Sequence, residues 1–300
     1  MEIRKLGIVG GGSMGKSIAE KVASNGIDVT VVEVSEAKAL RAREELAAGL
    51  EHELQKWGIT QSEKKVVLSR VTFVADLARV AGTDLVIETV HEDLEAKKDV
   101  MRRLEEVCPP ERIFITNTST LSITEIAAAS GRPDKVVGVH FLYPVTTSPI
   151  VEIVRAVETS DHTFATAVAL ARVLDKTVIE VFDSPGFVMT RAVLPFLNEA
   201  MSLVMEGVAS AEDVDRALQL GYEFKFGPLE YADRVGLDKV MGWMEHLFRE
   251  LGDVKYRPCP LLRKMVRAGY LGRKSGRGFF LYEGHRRVEA PHRERKEVAR

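Results

Sequence analysis

The 29 residues from Lys5 to Glu33 settle most of what the chain can fold into. Lys5–Val9 is a short apolar run that breaks into Gly10, Gly11 and Gly12, and Met14, Ile18 and Val22 then recur at helical spacing until Asn25-Gly26 stops the pattern. Asp28–Glu33, DVTVVE, follows and is rich in β-branched residues. Strand, glycine turn, helix and strand in that order read as a βαβ unit, because two parallel strands need a helical crossover between them.

The turn satisfies two phosphate-binding patterns at once. Gly10, Gly12 and Gly15 make GxGxxG, in which the glycines allow a tight turn, close backbone approach to a pyrophosphate, and close packing of helix on strand. Gly10, Gly15, Lys16 and Ser17 also make GxxxxGKS, in which a lysine reaches the terminal phosphates and a hydroxyl holds magnesium. Both patterns place phosphate at a helix N-terminus. Glu33 separates them: it closes the second strand 18 residues after Gly15, where a dinucleotide site needs a carboxylate for the adenosine ribose hydroxyls and where that carboxylate repels a 2′-phosphate. A nucleotide hydrolase would instead want a magnesium-binding aspartate closing a later apolar strand, and the obvious strand, DLVIE, ends in Glu88. The dinucleotide reading therefore leads. Lys38, Arg41 and Arg43 lie close enough in sequence to leave some NADP use open.

Further apolar runs at Leu85–Thr89, Ile113–Thr116, Val136–Phe141, Val151–Val154 and Thr177–Phe182 alternate with helical patterns at Ser35–Trp57, Glu95–Cys108 and His162–Leu174. This alternation implies a mostly parallel sheet covered by helices on both faces. Beyond Ser184-Pro185-Gly186 the strand signals stop and helices punctuated by glycine and proline remain. Three regions are expected: residues 1–184 around the cofactor, a helical domain at 185–284, and a basic, poorly ordered tail at 285–300.

Composition narrows the function classes. The 300 residues carry a net charge of −2, divided as −5 on the body and +3 on the tail. A pI near 6.4 removes the global basic charge of a nucleic-acid partner. No apolar run approaches the roughly 20 residues that span a bilayer, and MEIRKLGIVGGG lacks a signal-peptide layout, so a cytoplasmic protein is expected. Cys108 and Cys259 are the only cysteines and have no ligand spacing, so no metal site is expected.

A cofactor that accepts hydride needs a base for the substrate proton. His140 ends the apolar strand VVGVH, where open α/β sheets place their ligands, although a histidine there is about as often a packed structural residue. Glu152 lies 12 residues on and could return beside His140 to orient the imidazole; alone, it reads more readily as an exposed strand residue. Ser119, in the polar turn Asn117–Thr120, sits at another strand end, and its competing role is to cap the helix near Ser122, a role equally open to Thr120 or Ser122.

With these residues in place, the chain resembles the short-chain L-3-hydroxyacyl-CoA dehydrogenases, most closely the bacterial 3-hydroxybutyryl-CoA dehydrogenases. The resemblance runs from Leu6 to about Tyr282 through GGGSMG, DLVIETVHEDLEAK, NTSTLSIT, VGVHF, PIVEIV, SPGF, FGPLEYADRVGLD and KYRPCPLLRKMVRAGYLGRKSGRGF. It implies a Rossmann-type doubly wound sheet followed by an all-helical C-terminal domain that supplies a dimer interface and part of the substrate cleft. The implied activity is oxidation of (S)-3-hydroxyacyl-CoA to 3-ketoacyl-CoA with NAD, in fatty acid metabolism. Position by position, it implies His140 as general base, Glu152 as its partner and Ser119 as donor to the substrate oxygen. Gly10, Gly12, Ser13, Met14, Gly15 and Glu33 would hold NAD; Glu92, Lys97 and Lys274 match further cofactor-contacting positions; and Lys56 matches a lysine that meets the CoA phosphates, with Gly49 where the family has a serine.

Two departures stand out. Where the family has asparagines after the histidine strand and after SPGF, this chain has Tyr143, expected beside the nicotinamide, and Thr190, expected to face the substrate. Thr190 keeps a hydroxyl on a shorter, β-branched side chain, and Tyr143 keeps a polar tip on a larger ring. They keep in view a dehydrogenase of the same fold acting on a non-CoA hydroxy acid such as a sugar acid; the fold by itself also allows a non-catalytic NAD-binding protein.

Overall fold

The β-branched runs build one eight-stranded sheet, and the order of its strands follows from the crossovers. In the computed structural model, which describes residues 3–284 and 286–288, the chain forms two compact units, Met1–Phe187 and Val188–Arg300. The first contains β1 (Lys5–Val9), α1 (Ser13–Ser24), β2 (Asp28–Val32), α2 (Glu36–Gln55), α3 (Gln61–Arg70), β3 (Val71–Val74), β4 (Leu85–Glu88), α4 (Leu94–Val107), β5 (Ile113–Thr116), α5 (Ile123–Ala128), β6 (Val136–Phe141), β7 (Ile150–Arg155), α6 (Asp161–Val173) and β8 (Thr177–Phe182). Their order across the sheet is β3-β2-β1-β4-β5-β6-β7-β8. The order reverses between β1 and β4, which leaves a crevice at the C-terminal strand ends where such sheets take their ligands.

Period-two alternation fills both faces. Leu6 and Ile8 of β1, Leu85 and Ile87 of β4, and Ile113 and Ile115 of β5 join one buried cluster with α1 and α6. Val9, Val86 and Phe114 point the other way, into a second cluster with α4 and α5.

Three features depart from the pattern read in the sequence. The helix expected over Ser35–Trp57 is α2, capped by Ser35 and ended at Gln55, and α3 follows it. Thr60 and Glu63 start α3 as a capping box: the Glu63 N–H donates to Thr60 Oγ1 at 3.2 Å and the Thr60 N–H to Glu63 Oε2 at 2.7 Å. Four-residue β3, against the edge of β2, carried too short an apolar run to stand out. β7 runs antiparallel to β6, and this reversal is what the site depends on.

The second unit contains α7 (Met189–Met205), α8 (Ala211–Tyr222), α9 (Pro228–Val235), α10 (Leu237–Leu251) and α11 (Pro260–Arg267) around Leu194, Leu197, Met201, Leu229, Val240 and Met244. It is helical apart from a two-stranded ribbon, β9 (Leu281–Glu283) with β10 (Arg286–Val288). Of the stretch expected as a basic tail, Arg286–Val288 are that ribbon strand, and His285 and residues 289–300 lie outside the described residues. Among the described residues no helix is long and apolar enough to cross a membrane.

Candidate active site

Each glycine of the turn has its own physical reason. Gly10 has φ +104°, and a Cβ there would meet the Thr89 carbonyl oxygen at 2.9 Å. At Gly15 a Cβ would fall onto the Gly10 carbonyl oxygen, so glycine is what lets α1 pack on the strand end. A Cβ on Gly12 would meet nothing within 4 Å and would fill open space over the helix N-terminus. Gly12 is the N-cap of α1 with no side-chain cap, the first turn holds no acidic residue, and Gly12, Ser13 and part of Met14 are accessible. Unanswered N–H groups beside that space form an anion cradle. Glu33 follows β2, and its Oε1 accepts from the Gly11 N–H at 2.7 Å, so the carboxylate stands against the turn. These residues fit the pyrophosphate and ribose of a dinucleotide.

The hydrolase pattern has no chemistry left. Lys16 turns its ammonium to Glu45, and Ser17 Oγ accepts from the Val145 N–H at 3.0 Å. Glu88, which stands where a hydrolase would want its magnesium-binding aspartate, is wholly buried and bonded to Lys97.

On the antiparallel pair β6/β7, His140 and Glu152 are register partners. The pair directly opposite share a face, which brings Glu152 Oε2 to 2.6 Å from His140 Nδ1. Both side chains are buried, and the Phe187 ring lies 5.8 Å from the imidazole. A carboxylate only accepts, so the proton of a neutral imidazole sits on Nδ1 and the lone pair on Nε2.

The turn Asn117–Thr120 is organised by Glu92. One carboxylate oxygen accepts from Thr118 Oγ1 at 2.6 Å, from the Ser119 N–H at 2.9 Å and from Thr120 Oγ1 at 3.4 Å. The cap of α5 is Ser122, which accepts from the Glu125 N–H at 3.2 Å, so Ser119 does not serve as that cap. Asn117 links the strand ends: its Oδ1 accepts from the Phe141 N–H at 3.2 Å, next to His140.

Lys97 lies beneath this surface, not on it, which differs from the cofactor contact that the resemblance implies. It has no exposed surface, and its ammonium donates to Glu88 Oε1 at 2.9 Å, Glu88 Oε2 at 3.1 Å and the Asn117 carbonyl at 2.8 Å. Glu88 also accepts from Thr116 Oγ1 and the Val90 N–H, each at 2.6 Å. This knot ties the ends of β4 and β5 to α4, and burial raises the Glu88 carboxyl above the usual carboxylate range despite the neighbouring ammonium.

The sequence reading singled out none of Asn117, Thr116 or the Glu88–Lys97 pairing as parts of the site. The available signal was an ionisable residue closing the otherwise apolar strand LVIE. Tyr143 is exposed just beyond β6, and Lys56 is exposed at the C-cap of α2 beside Trp57. In the second unit, Thr190 is buried in the first turn of α7, and Lys274 pairs with Asp238 Oδ2 at 2.6 Å. Among the described residues no group of three His, Cys, Asp or Glu side chains could hold a metal ion.

Comparison with known proteins agrees over both units. Residues 5–184 match the family pattern of the 3-hydroxyacyl-CoA dehydrogenase NAD binding domain, and residues 186–282 match that of the 3-hydroxyacyl-CoA dehydrogenase C-terminal domain. A probable 3-hydroxybutyryl-CoA dehydrogenase of Bacillus subtilis is 44% identical over 94% of this chain and 99% of its own length. Human mitochondrial hydroxyacyl-coenzyme A dehydrogenase is 34% identical over 94% of this chain and 92% of its own. The crystal structure of (S)-3-hydroxybutyryl-CoA dehydrogenase from Ralstonia eutropha superposes with a TM-score of 0.88 at 39% identity, covering 94% of this chain and all of that one. The glycine turn, the carboxylate behind it and the two matched domains make this chain a member of the 3-hydroxyacyl-CoA dehydrogenase family.

Proposed function

We propose that the chain oxidises (S)-3-hydroxyacyl-CoA, short chains such as 3-hydroxybutyryl-CoA foremost, to 3-ketoacyl-CoA, and runs the reverse reduction. The observation that carries this reading is the His140–Glu152 pair at the C-terminal end of β6, in the sheet whose β1–α1 turn fits a dinucleotide. When bound, NAD supplies the acceptor for the hydride that leaves C3. His140 Nε2 takes the proton of the 3-hydroxyl, while Glu152 keeps Nδ1 protonated and stabilises the imidazolium that results. Ser119, its backbone fixed by Glu92, donates to the oxygen that becomes the ketone. Glu33 receives the ribose hydroxyls, and Lys97 serves from below by fixing the carbonyl of Asn117.

Roles toward NAD for Glu92, Tyr143 and Lys274, and toward substrate for Thr190 and Lys56, rest on their motif positions. A cytoplasmic homodimer built on the second unit completes the proposal. Supporting it, the second unit carries an exposed aromatic cluster in which Phe224 meets Phe196 at 5.5 Å and Tyr222 at 6.1 Å between ring centroids.

The test is NADH formation with a series of (S)-3-hydroxyacyl-CoA chain lengths and with free hydroxy acids. Turnover of the CoA thioesters, best at four carbons, is expected. Turnover of free hydroxy acids alone, or of nothing, overturns the proposal.

A further inference from the structure

Between Val254 and Tyr282 the sequence holds eight lysines and arginines and not one carboxylate, in a chain whose net charge is −2. Four of the eight, Arg257, Arg263, Lys264 and Arg267, line a single cavity of about 410 Å³ with Pro258 and Pro260. That volume is within the usual range of small-molecule sites.

The cations there are held on a stiff frame. Arg263, Lys264 and Arg267 come from one face and the last turn of α11, where two residues of spacing four stack one above the other. Arg257 precedes the helix in a segment clamped by Asn198, whose Nδ2 donates to the Arg257 carbonyl at 3.0 Å and whose Oδ1 accepts from the Cys259 N–H at 2.9 Å. Two prolines in this segment fix their own φ angles and remove two donors.

The charge is not neutralised in place. Arg263 meets Glu245 Oε1 at 2.5 Å, whereas among the described residues Arg257, Lys264 and Arg267 enter no ion pair. Three like charges gathered around one cavity repel each other, and a folded chain tolerates that where an anion answers them. Of the other four cations in the stretch, Lys255 is answered by Asp253 and Lys274 by Asp238, each at 2.6 Å, and Arg277 lies over the Tyr270 ring.

We infer that this cavity is a binding site for a small polyphosphorylated anion, using residues separate from those that hold the dinucleotide. Two or more phosphates match the surplus of three, and the two guanidinium forks take phosphate oxygens pairwise. A single carboxylate would leave most of that charge unanswered.

Isothermal titration of the full chain, first saturated with NADH, with sodium tripolyphosphate and separately with ADP tests the assignment. One saturable site per chain is expected, weakening as salt is raised, and about 100-fold weaker or lost in Arg257→Ala/Lys264→Ala/Arg267→Ala. The Arg257→Lys/Arg267→Lys variant should still bind. Equal affinity for both probes means the phosphate chain alone is read; ADP bound far more tightly means that the nucleoside adds contacts, and both results uphold the site. If the triple variant fails to fold, the single Arg267→Glu variant serves and should weaken binding at least about tenfold. No saturable heat at millimolar probe, or binding untouched by the substitutions, overturns the inference.

Discussion

Replacing Lys97 by methionine separates a cation that touches the cofactor from one that braces the site from beneath. The ammonium has no exposed surface and makes bonds of 2.8, 2.9 and 3.1 Å to the Asn117 carbonyl and both oxygens of an equally buried Glu88. Methionine fills most of the volume but leaves the Glu88 carboxylate with only uncharged donors such as Thr116 Oγ1 and the Val90 N–H. Breaking a buried pair in this way costs about 3–5 kcal/mol, because the remaining charge stays desolvated. Burial already raises the Glu88 carboxyl with Lys97 present, and removing the cation raises it further. A carboxyl whose folded pKa exceeds its unfolded value binds more protons when folded, so the variant's stability deficit should be small near pH 4. It should grow as pH rises towards the folded pKa and then level off.

Urea unfolding of wild type, Lys97→Met, Glu88→Gln and the double variant at about pH 5 and pH 8 measures this, and the double variant should recover much of the loss through a coupling of about 1–3 kcal/mol. A Lys97→Met protein as stable as wild type at both pH values, yet weakened in NAD binding, would refute the buried-brace reasoning and return Lys97 to the cofactor surface.

Two glycines of the turn should respond in opposite ways. Gly15→Ala should destabilise the protein by at least about 1–3 kcal/mol, since its Cβ meets the Gly10 carbonyl. Gly12→Ala should unfold like wild type yet bind NADH weakly, which thermal unfolding and fluorescence titration of the two variants can establish. In the second unit, burial pushes the Asp233 carboxyl up to about 7 although the Phe279 and Phe280 N–H groups and the Tyr282 hydroxyl all donate to it. Its folded pKa lies above its unfolded value, so its contribution to stability is fullest below about pH 4 and is lost as pH rises to about 7, a change on the order of 4 kcal/mol. Asp233→Asn should abolish that slope in unfolding free energies taken across the same range.

What the sequence disclosed was mostly local. The roles of Gly10, Gly12 and Gly15 are backbone facts, and backbone conformation is written in the few residues around a turn, so turn, helix and ribose carboxylate were legible together. His140 was legible as a strand end. Its pairing with Glu152 depended on β7 running back along β6, which no periodicity encodes; a spacing of 12 allowed the contact without requiring it. The Glu88–Lys97 knot escaped for the same reason. Glu88 stood only as the residue found where a hydrolase would want an aspartate, and Lys97 as a cofactor contact, whereas the fold buries each against the other. The Thr60–Glu63 capping box is a signal present in the sequence, and it starts a helix beyond the Ser35–Trp57 stretch. Thr190 and Lys274, both in the second unit, take their meaning from motif position alone.

The measurement that bears most directly on the chemistry is kcat for His140→Gln with NAD and (S)-3-hydroxybutyryl-CoA, set beside NADH affinity in the same preparation. Glutamine keeps a hydrogen-bonding side chain of similar reach but cannot take the proton, so a fall in kcat of roughly 10²–10⁴-fold with unchanged NADH binding is expected. Wild-type turnover in that variant would contradict the assignment of the base and, with it, the mechanism built on the β6/β7 pair.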